Sequence, residues 1–476
     1  MNTRRPSTRL TNASDAIAWQ SCRRRAWFDL RESELALAPD DFERLIMQAG
    51  MEHERAVLAN LGDYEAASDE AHTTELILAK TPVIYQPKFR DDALRVVAQP
   101  DFLFLEEEGY RAADAKLARS LDGKTDVRIQ LAVYQRVISS NLSTRALLGG
   151  GETELISVKD LDRADEFLAD MALLAETDRP QAHFGATKCG ACPYRNVCVP
   201  EFQAAGDLGQ NYFIDGRAIP WLIEAGVHTL RDLATCTADS LPDVPYFKGQ
   251  KKSKAVSHAK ALLTGALEIV SPLAPLPGTP VHFDIETNPL ADHGQEEVYL
   301  WGFLLPPYSP TDFQYIWHDG GADNDCQAWL AFLNFVAELR KRHADAVLIH
   351  YARFERDVIT RYSRKFSDTE NPIVSWLLNG GGLVDLRERV VESLILPTTG
   401  YGLKEICKHS DLVNFQWELQ ESGSQWSVVR YHDFLEAATD AQREEIKQEI
   451  LTYNRDDVRA TRALEVWLQG LCANSS

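Results

Sequence analysis

The sequence predicts a multi-domain α/β protein, with two α/β domains on either side of a small helical segment. Three observations carry this expectation. The chain has 476 residues, and one hydrophobic core rarely grows past about 250–300 residues. Strand-like apolar runs alternate with helical patterns in both halves. Between the halves, Ser271-Pro-Leu-Ala-Pro-Leu-Pro-Gly-Thr-Pro280 is Pro-rich and aperiodic, the signature of a linker. The expected division is residues 1–205, a helical segment 206–270, a linker 271–280 and a last domain 281–476.

Composition narrows the class. Hydrophobic content of 45% and charged content of 25% are those of an ordinary globular chain. Neither an apolar leader nor a run of the roughly 18 apolar residues a membrane helix needs is present, so a cytoplasmic protein is expected. The net charge of −21 argues against a sequence-independent clamp on DNA. It does not exclude metal-dependent nuclease chemistry, whose sites are acidic. Two basic stretches, Arg23-Arg24-Arg25 and Lys248, Lys251, Lys252, Lys254, are candidates for phosphate contact or simply solvated surface.

In the first domain, 41–61 reads as a helix carrying His53. Residues 94–97 are β-rich and Asp101-Phe-Leu-Phe-Leu105 continues them. Glu106-Glu-Glu-Gly109 is a turn, and Tyr110 to Lys116 returns as the partner strand. Asp114 and Lys116 are two apart on that strand, so they project together. Carboxylates with a nearby lysine are what metal-assisted phosphodiester hydrolysis needs, because the cation polarises phosphate and acidifies water while the lysine offsets developing charge. Asp126 to Ser139 reads as a helix with Gln130 and Tyr134 on one face. In this order the residues resemble the RecB-like branch of the PD-(D/E)XK nucleases. That resemblance implies a restriction-endonuclease-like α/β/α fold, with His53, Asp101 and Asp114 as metal ligands and Lys116 as the catalytic lysine. It also implies that Gln130 and Tyr134 position substrate.

Cys189, Cys192 and Cys198 form C-x2-C-x5-C, a spacing that favours a bound metal centre over unrelated thiols. Cys22 is the natural fourth ligand. The set resembles the iron–sulfur RecB-like nucleases, which implies a [4Fe–4S] cluster stapling the ends of the domain; a four-thiolate zinc site is the alternative. Farther on, Trp221 to Leu233 has helical spacing broken by Gly226, and a helix over 253–263 follows the lysines. This segment resembles a helix-hairpin-helix element; a helical spacer is the other reading.

The last domain opens on Pro280-Val-His-Phe-Asp284-Ile-Glu286-Thr287, an apolar strand with two carboxylates on one face. Burying both without a counter-charge is costly, and a divalent cation resolves the conflict. Strands over 297–304 and 313–318, a helix over 326–339 and a strand over 346–350 follow, which is ribonuclease H-like topology. Tyr453 and Asp457 share a face of a late helix. The whole resembles the DEDDy exonucleases in a YprB-type ribonuclease H-like domain. By resemblance Asp284, Glu286 and Asp457 hold metal and Tyr453 orients water. The family's Asn-x-x-x-(Phe/Tyr)-Asp motif stands here as His350-Tyr-Ala-Arg-Phe-Glu355, so Glu355 takes the aspartate slot one methylene longer. Asp357 and Asp385 are possible substitutes.

The expected function is a two-headed, Mg2+- or Mn2+-dependent nuclease, an exonuclease acting on ends or single strands in repair or processing. Nucleic acid is the expected partner, DNA favoured over RNA, with a helicase or repair protein beside it and no membrane. The alternative is an inactive nucleic-acid-binding scaffold.

Overall fold

The computed structural model describes residues 9–291, 296–419 and 424–474. The chain divides into two units, one running to Glu201 and the other from Phe202 onward. Both are α/β. Among the described residues no helix is long and apolar enough to cross a membrane.

In the first unit the alternating pattern before and after the glutamate-rich turn forms a hairpin. Strands Phe102–Glu106 and Gly109–Lys116 run antiparallel, with Phe102 opposite Ala113 and Leu105 opposite Tyr110. Gly109 closes the turn at φ 129, a conformation L side chains rarely adopt. The hairpin lies within a six-stranded sheet whose order is Glu65–Ala66, Val83–Tyr85, Phe102–Glu106, Gly109–Lys116, Arg145–Leu148, Thr153–Leu155. Gly109–Lys116 and Arg145–Leu148 are parallel, so a crossover is required, and helix Thr125–Ile138 supplies it. Ile129, Leu131 and Val133 of that helix are buried, as are Phe167 and Met171 of helix Val158–Leu174, which packs on it.

Residues 94–97 do not lead into the hairpin as expected. Val96–Ala98 instead pairs with Thr11–Asn12 and Phe89–Asp91 in a separate three-stranded sheet. Pro100, which has no N–H for a continued ladder, stands between the two sheets.

The second unit is built on a five-stranded sheet ordered Phe313–Trp317, Glu297–Leu304, Thr279–Asn288, Ala346–His350, Leu383–Asp385. The first three strands are antiparallel and the last two join in parallel. Thr279–Asn288 is the central strand and its two faces differ. Val281, Phe283 and Ile285 enter a core with Trp301, Trp329 and Phe332. His282, Asp284 and Glu286 point the other way, toward the long helix Asp440–Asn474.

The helical residues 206–270 share one buried core with this unit: Leu222, Leu230, Phe247 and Ala259 cluster with Val390, Ile395, Tyr401 and Leu464. The Pro-rich stretch is pinned there too. Val270 N–H donates to Ser393 O at 2.8 Å, Arg389 reaches the carbonyls of Ala274 and Pro275, and Leu273 and Leu276 pack on the core. The lysines of helix Gln250–Thr264 serve the fold. Lys252 bonds Leu241 O and Asp243, and Lys254 bonds Val391 O and Glu392 O.

His258 locks this helix in place. It is fully buried; Tyr212 N–H donates to Nδ1 at 3.2 Å and Nε2 faces Thr398 O at 2.9 Å. The neutral ring satisfies both contacts, and burial pushes its pKa down to about 4 from 6.5. As pH falls below 6.5 the unfolded chain takes up a proton that the folded chain refuses, so stability present above 6.5 is lost toward pH 4. The linkage is on the order of 3 kcal/mol. Denaturant unfolding of the second unit should therefore lose stability across that window, and His258→Gln should flatten this part of the profile. An unchanged profile in the variant would refute the assignment.

Candidate active sites

In the first unit the paired strands place Asp101 and Asp114 side by side. Asp101 N–H donates to Asp114 Oδ1 at 3.0 Å, and Ala115 N–H donates to Asp101 Oδ2 at 2.7 Å. Lys116 Nζ meets Asp114 Oδ2 at 2.6 Å and Gln130 Oε1 at 3.2 Å. Gln130 in turn donates to the Tyr134 hydroxyl at 2.8 Å. These five residues thus form one chain of contacts. Asp114 is buried and Asp101 half-buried. Burial, then the carboxylates of Asp114 and Glu54, push the Asp101 carboxyl up to about 9. For Lys116, burial works against the charged form, but Asp114 and Asp101 outweigh it and its pKa is raised.

His53, the buried residue of helix Asp41–Ala59, has Nε2 3.2 Å from Leu147 O on the neighbouring strand. It does not close a tight ligand group with the two aspartates. Glu54, beside it, was not anticipated. It accepts from the Tyr85 hydroxyl at 2.8 Å and from Gln86 Nε2 at 3.0 Å, while Gln86 N–H donates to Asp101 O at 2.8 Å. No sequence spacing marks this link, because it joins a helix to a strand end far along the chain.

The four cysteines come from both ends of the unit. Cys22 sits between helices Ala16–Ser21 and Arg23–Arg31; Cys189 and Cys198 are buried and Cys192 half-buried. All are free thiols; Cys22 bears on the ionisation of Cys189 and Cys192, and Cys192 on that of Cys189 and Cys198. Burial raises the pKa of Cys189, Cys192 and Cys198, opposed by Lys188, Arg25 and Arg24 respectively. Arg23 pairs with Asp170, and Arg24 bonds Pro180 O and Glu201, so these two arginines of the basic run are engaged within the unit.

In the second unit Asp284, Glu286 and Asp457 converge. Each offers an oxygen within 4.8 Å of the others, and among the described residues they are the one group of three or more metal-ligating side chains so gathered. Neutral donors surround them. Asn454 Nδ2 donates to Asp284 Oδ2 at 2.8 Å and Glu286 Oε1 at 3.3 Å. Ser427 donates to Glu286 Oε2 and Trp417 Nε1 to Asp457 Oδ1, each at 2.6 Å. Lys404 Nζ donates to the Tyr453 hydroxyl at 3.0 Å and lies 3.9 Å from Asp457. The Tyr453 hydroxyl also helps to favour the charged form of Asp457, against burial. Asn454, Ser427, Trp417 and Lys404 were not read from the sequence as site residues. Only Asn454, adjacent to Tyr453 and three residues before Asp457, carried a positional hint.

Glu355 lies within hydrogen-bond reach of Asp284, while His350 Nδ1 holds its Oε2 at 3.1 Å. It stands against the group through Asp284 rather than inside it. Asp385 caps helix Leu386–Ser393 and accepts from Ala352 N–H, and Asp357 pairs with exposed Arg353. Asp456 takes the Glu418 N–H and Arg459. Burial first, then Glu286, Asp457 and Glu355, hold the Asp284 carboxyl well above its usual range. Glu286 is pushed up to about 8 by burial, and Asp457 is also raised by burial.

Such crowding costs stability unless a cation is present. In chelator-treated protein, Asp284→Asn should raise the melting temperature of the second unit by about 2–4 °C, the effect of roughly 1 kcal/mol in a domain of this size. It should also abolish the further rise on adding Mn2+. A lower melting temperature with the Mn2+ response intact would contradict this.

Compared with known proteins, residues 8–199 match the family model of the PD-(D/E)XK nuclease superfamily, and residues 281–469 match that of the RNase H superfamily. No curated protein and no solved structure matches the chain.

Proposed function

We propose, from the premise that this chain joins a PD-(D/E)XK nuclease superfamily domain to an RNase H superfamily domain, that it is a two-headed exonuclease acting on DNA ends or single strands in repair or processing. The two superfamilies support a metal-dependent enzyme that hydrolyses phosphodiester bonds. The observation that carries the finer reading is the gathering of Asp284, Glu286 and Asp457 beside Tyr453.

Mg2+ or Mn2+ suits these hard oxygen donors and, when bound, supplies polarisation of phosphate and a more acidic water. In the second head Asp284, Glu286 and Asp457 are the ligands. Glu355 buttresses Asp284 from the side, in place of the shorter aspartate. The Tyr453 hydroxyl accepts from Lys404, whose ammonium can only donate. Its own proton is therefore available for donation to the water it orients. In the first head Asp101 and Asp114 would hold the cation, and His53 would join them as a further ligand only by releasing Leu147 O, which its Nε2 now faces. Lys116 stabilises charge on the phosphate, and Gln130 and Tyr134 fix the lysine and substrate.

Cys22, Cys189, Cys192 and Cys198 are proposed to hold a [4Fe–4S] cluster, zinc being the competitor. Buried thiols beside Arg24, Arg25 and Lys188 suit bound thiolates. Anaerobically purified protein should show an iron–sulfur charge-transfer band and no zinc; the reverse would assign the site to zinc.

The direct test is degradation of labelled single- and double-stranded DNA and RNA with Mn2+. Lys116→Ala and Asp284→Ala should each cut the activity of one head by about 100-fold or more, and the double variant should be inactive. Robust activity in the double variant would overturn both site assignments. No activity on any substrate would point to a binding scaffold.

A further inference from the structure

Asn454 and Gly302 fit together across the second site in a way that metal ligation alone does not require. Gly302 is the cross-strand partner of Asp284. A Cβ at position 302 would fall 1.8 Å from Asn454 Oδ1 and 2.9 Å from its Cγ. The amide therefore lies directly on the neighbouring strand, in space that only glycine leaves open. Asn454 is fully buried, and its Oδ1 has no hydrogen-bond partner. A desolvated acceptor is a cost that folds rarely retain without return. The return here is the other end of the same amide, which donates to Asp284 Oδ2 and to Glu286 Oε1.

We propose that Asn454 is a positioning residue for the second metal site. Its side-chain amide fixes Asp284 and Glu286 in the pose that presents them to a cation, and Gly302 is the opening that admits it. The proposal rests on the reading of Asp284, Glu286 and Asp457 as metal ligands. The choice of residue follows from charge. A carboxamide brings two N–H donors to two carboxylates without neutralising them. A lysine or arginine in the same space would occupy the carboxylates and compete with the cation. An aspartate would add a further negative charge. Ser427 on Glu286 and Trp417 on Asp457 are neutral donors of the same kind, so ligand after ligand is steered by a group that leaves the negative charge for the metal.

The test is Mn2+ binding to the full-length protein by titration calorimetry, with melting temperature recorded for each variant. Asp284→Asn identifies the binding class that belongs to this site. Asn454→Ala should weaken that class by about tenfold, the usual cost of losing a partner that orients a ligand. Gly302→Ala should weaken it similarly by forcing the amide off the strand. In the Asn454→Ala background the two closest atoms are gone and only the Phe313 ring at 3.1 Å must give way by a few tenths of an ångström, so Gly302→Ala should cause far less further loss. Asn454→Ser, which removes the amide while keeping a small polar group, gives a second measure of the same affinity loss if the alanine variant folds poorly. Wild-type Mn2+ affinity in Asn454→Ala or Asn454→Ser would overturn the proposal, as would equal damage from Gly302→Ala in both backgrounds. If Asp284→Asn removes no binding class, the metal-site reading fails and takes this proposal with it. Loss in Asp284→Asn with intact binding in the Asn454 variants sinks this proposal alone.

Discussion

Like-charged carboxylates crowded together beside a hydrophobic sheet are the constraint on which both units turn, across a hairpin in the first and on one face of a single strand in the second. On Thr279–Asn288 the alternation is strict: Val281, Phe283 and Ile285 go into the core, and Asp284 and Glu286 go to the opposite side. The pleat leaves no freedom to move the charges without moving the core, since a one-residue slip would exchange the two sets. The charges are thus imposed by the same register that makes the sheet. Buried without a counter-ion they oppose folding, so their presence is an argument for function rather than stability.

The two units meet this constraint with different chemistry. In the first, a cation belonging to the chain is already in place: Lys116 sits on Asp114, and the Ala115 amide supports Asp101. In the second, the contacts to Asp284 and Glu286 come mainly from neutral donors, with Lys404 held back on Tyr453 at the edge of Asp457. A lysine fixed on one carboxylate and carboxylates held by neutral donors are distinct ways of balancing the same crowded charge.

Much of this was legible in the sequence because it rests on short-range periodicity. The hairpin carrying Asp114 and Lys116, the helix presenting Gln130 and Tyr134 and the shared face of Asp284 and Glu286 follow from i, i+2 and i, i+4 spacing, whereas the strand order around Asp284 was expected from the succession of elements and the family resemblance. What was missed is long-range. Ser427 and Trp417 reach the second site from segments whose local sequence looks like ordinary helix and loop. Gly302 reads as an interruption of an apolar strand until the residue above it is known. Residues 94–97 were misassigned for a related reason, since β propensity identifies a strand but not its partner. The lysines near 250 were open to phosphate contact or solvated surface, and Lys252 and Lys254 instead satisfy backbone carbonyls of their own unit, a use that composition alone does not distinguish.

The central claim is that the converging carboxylates of each unit exist to hold a divalent cation. Anomalous diffraction from crystals grown with Mn2+ addresses it most directly. The account expects density bonded at about 2.1 Å to oxygens of Asp284, Glu286 and Asp457, and a separate peak at Asp101 and Asp114. Ordered carboxylates at both places with Mn2+ bound only elsewhere would contradict it.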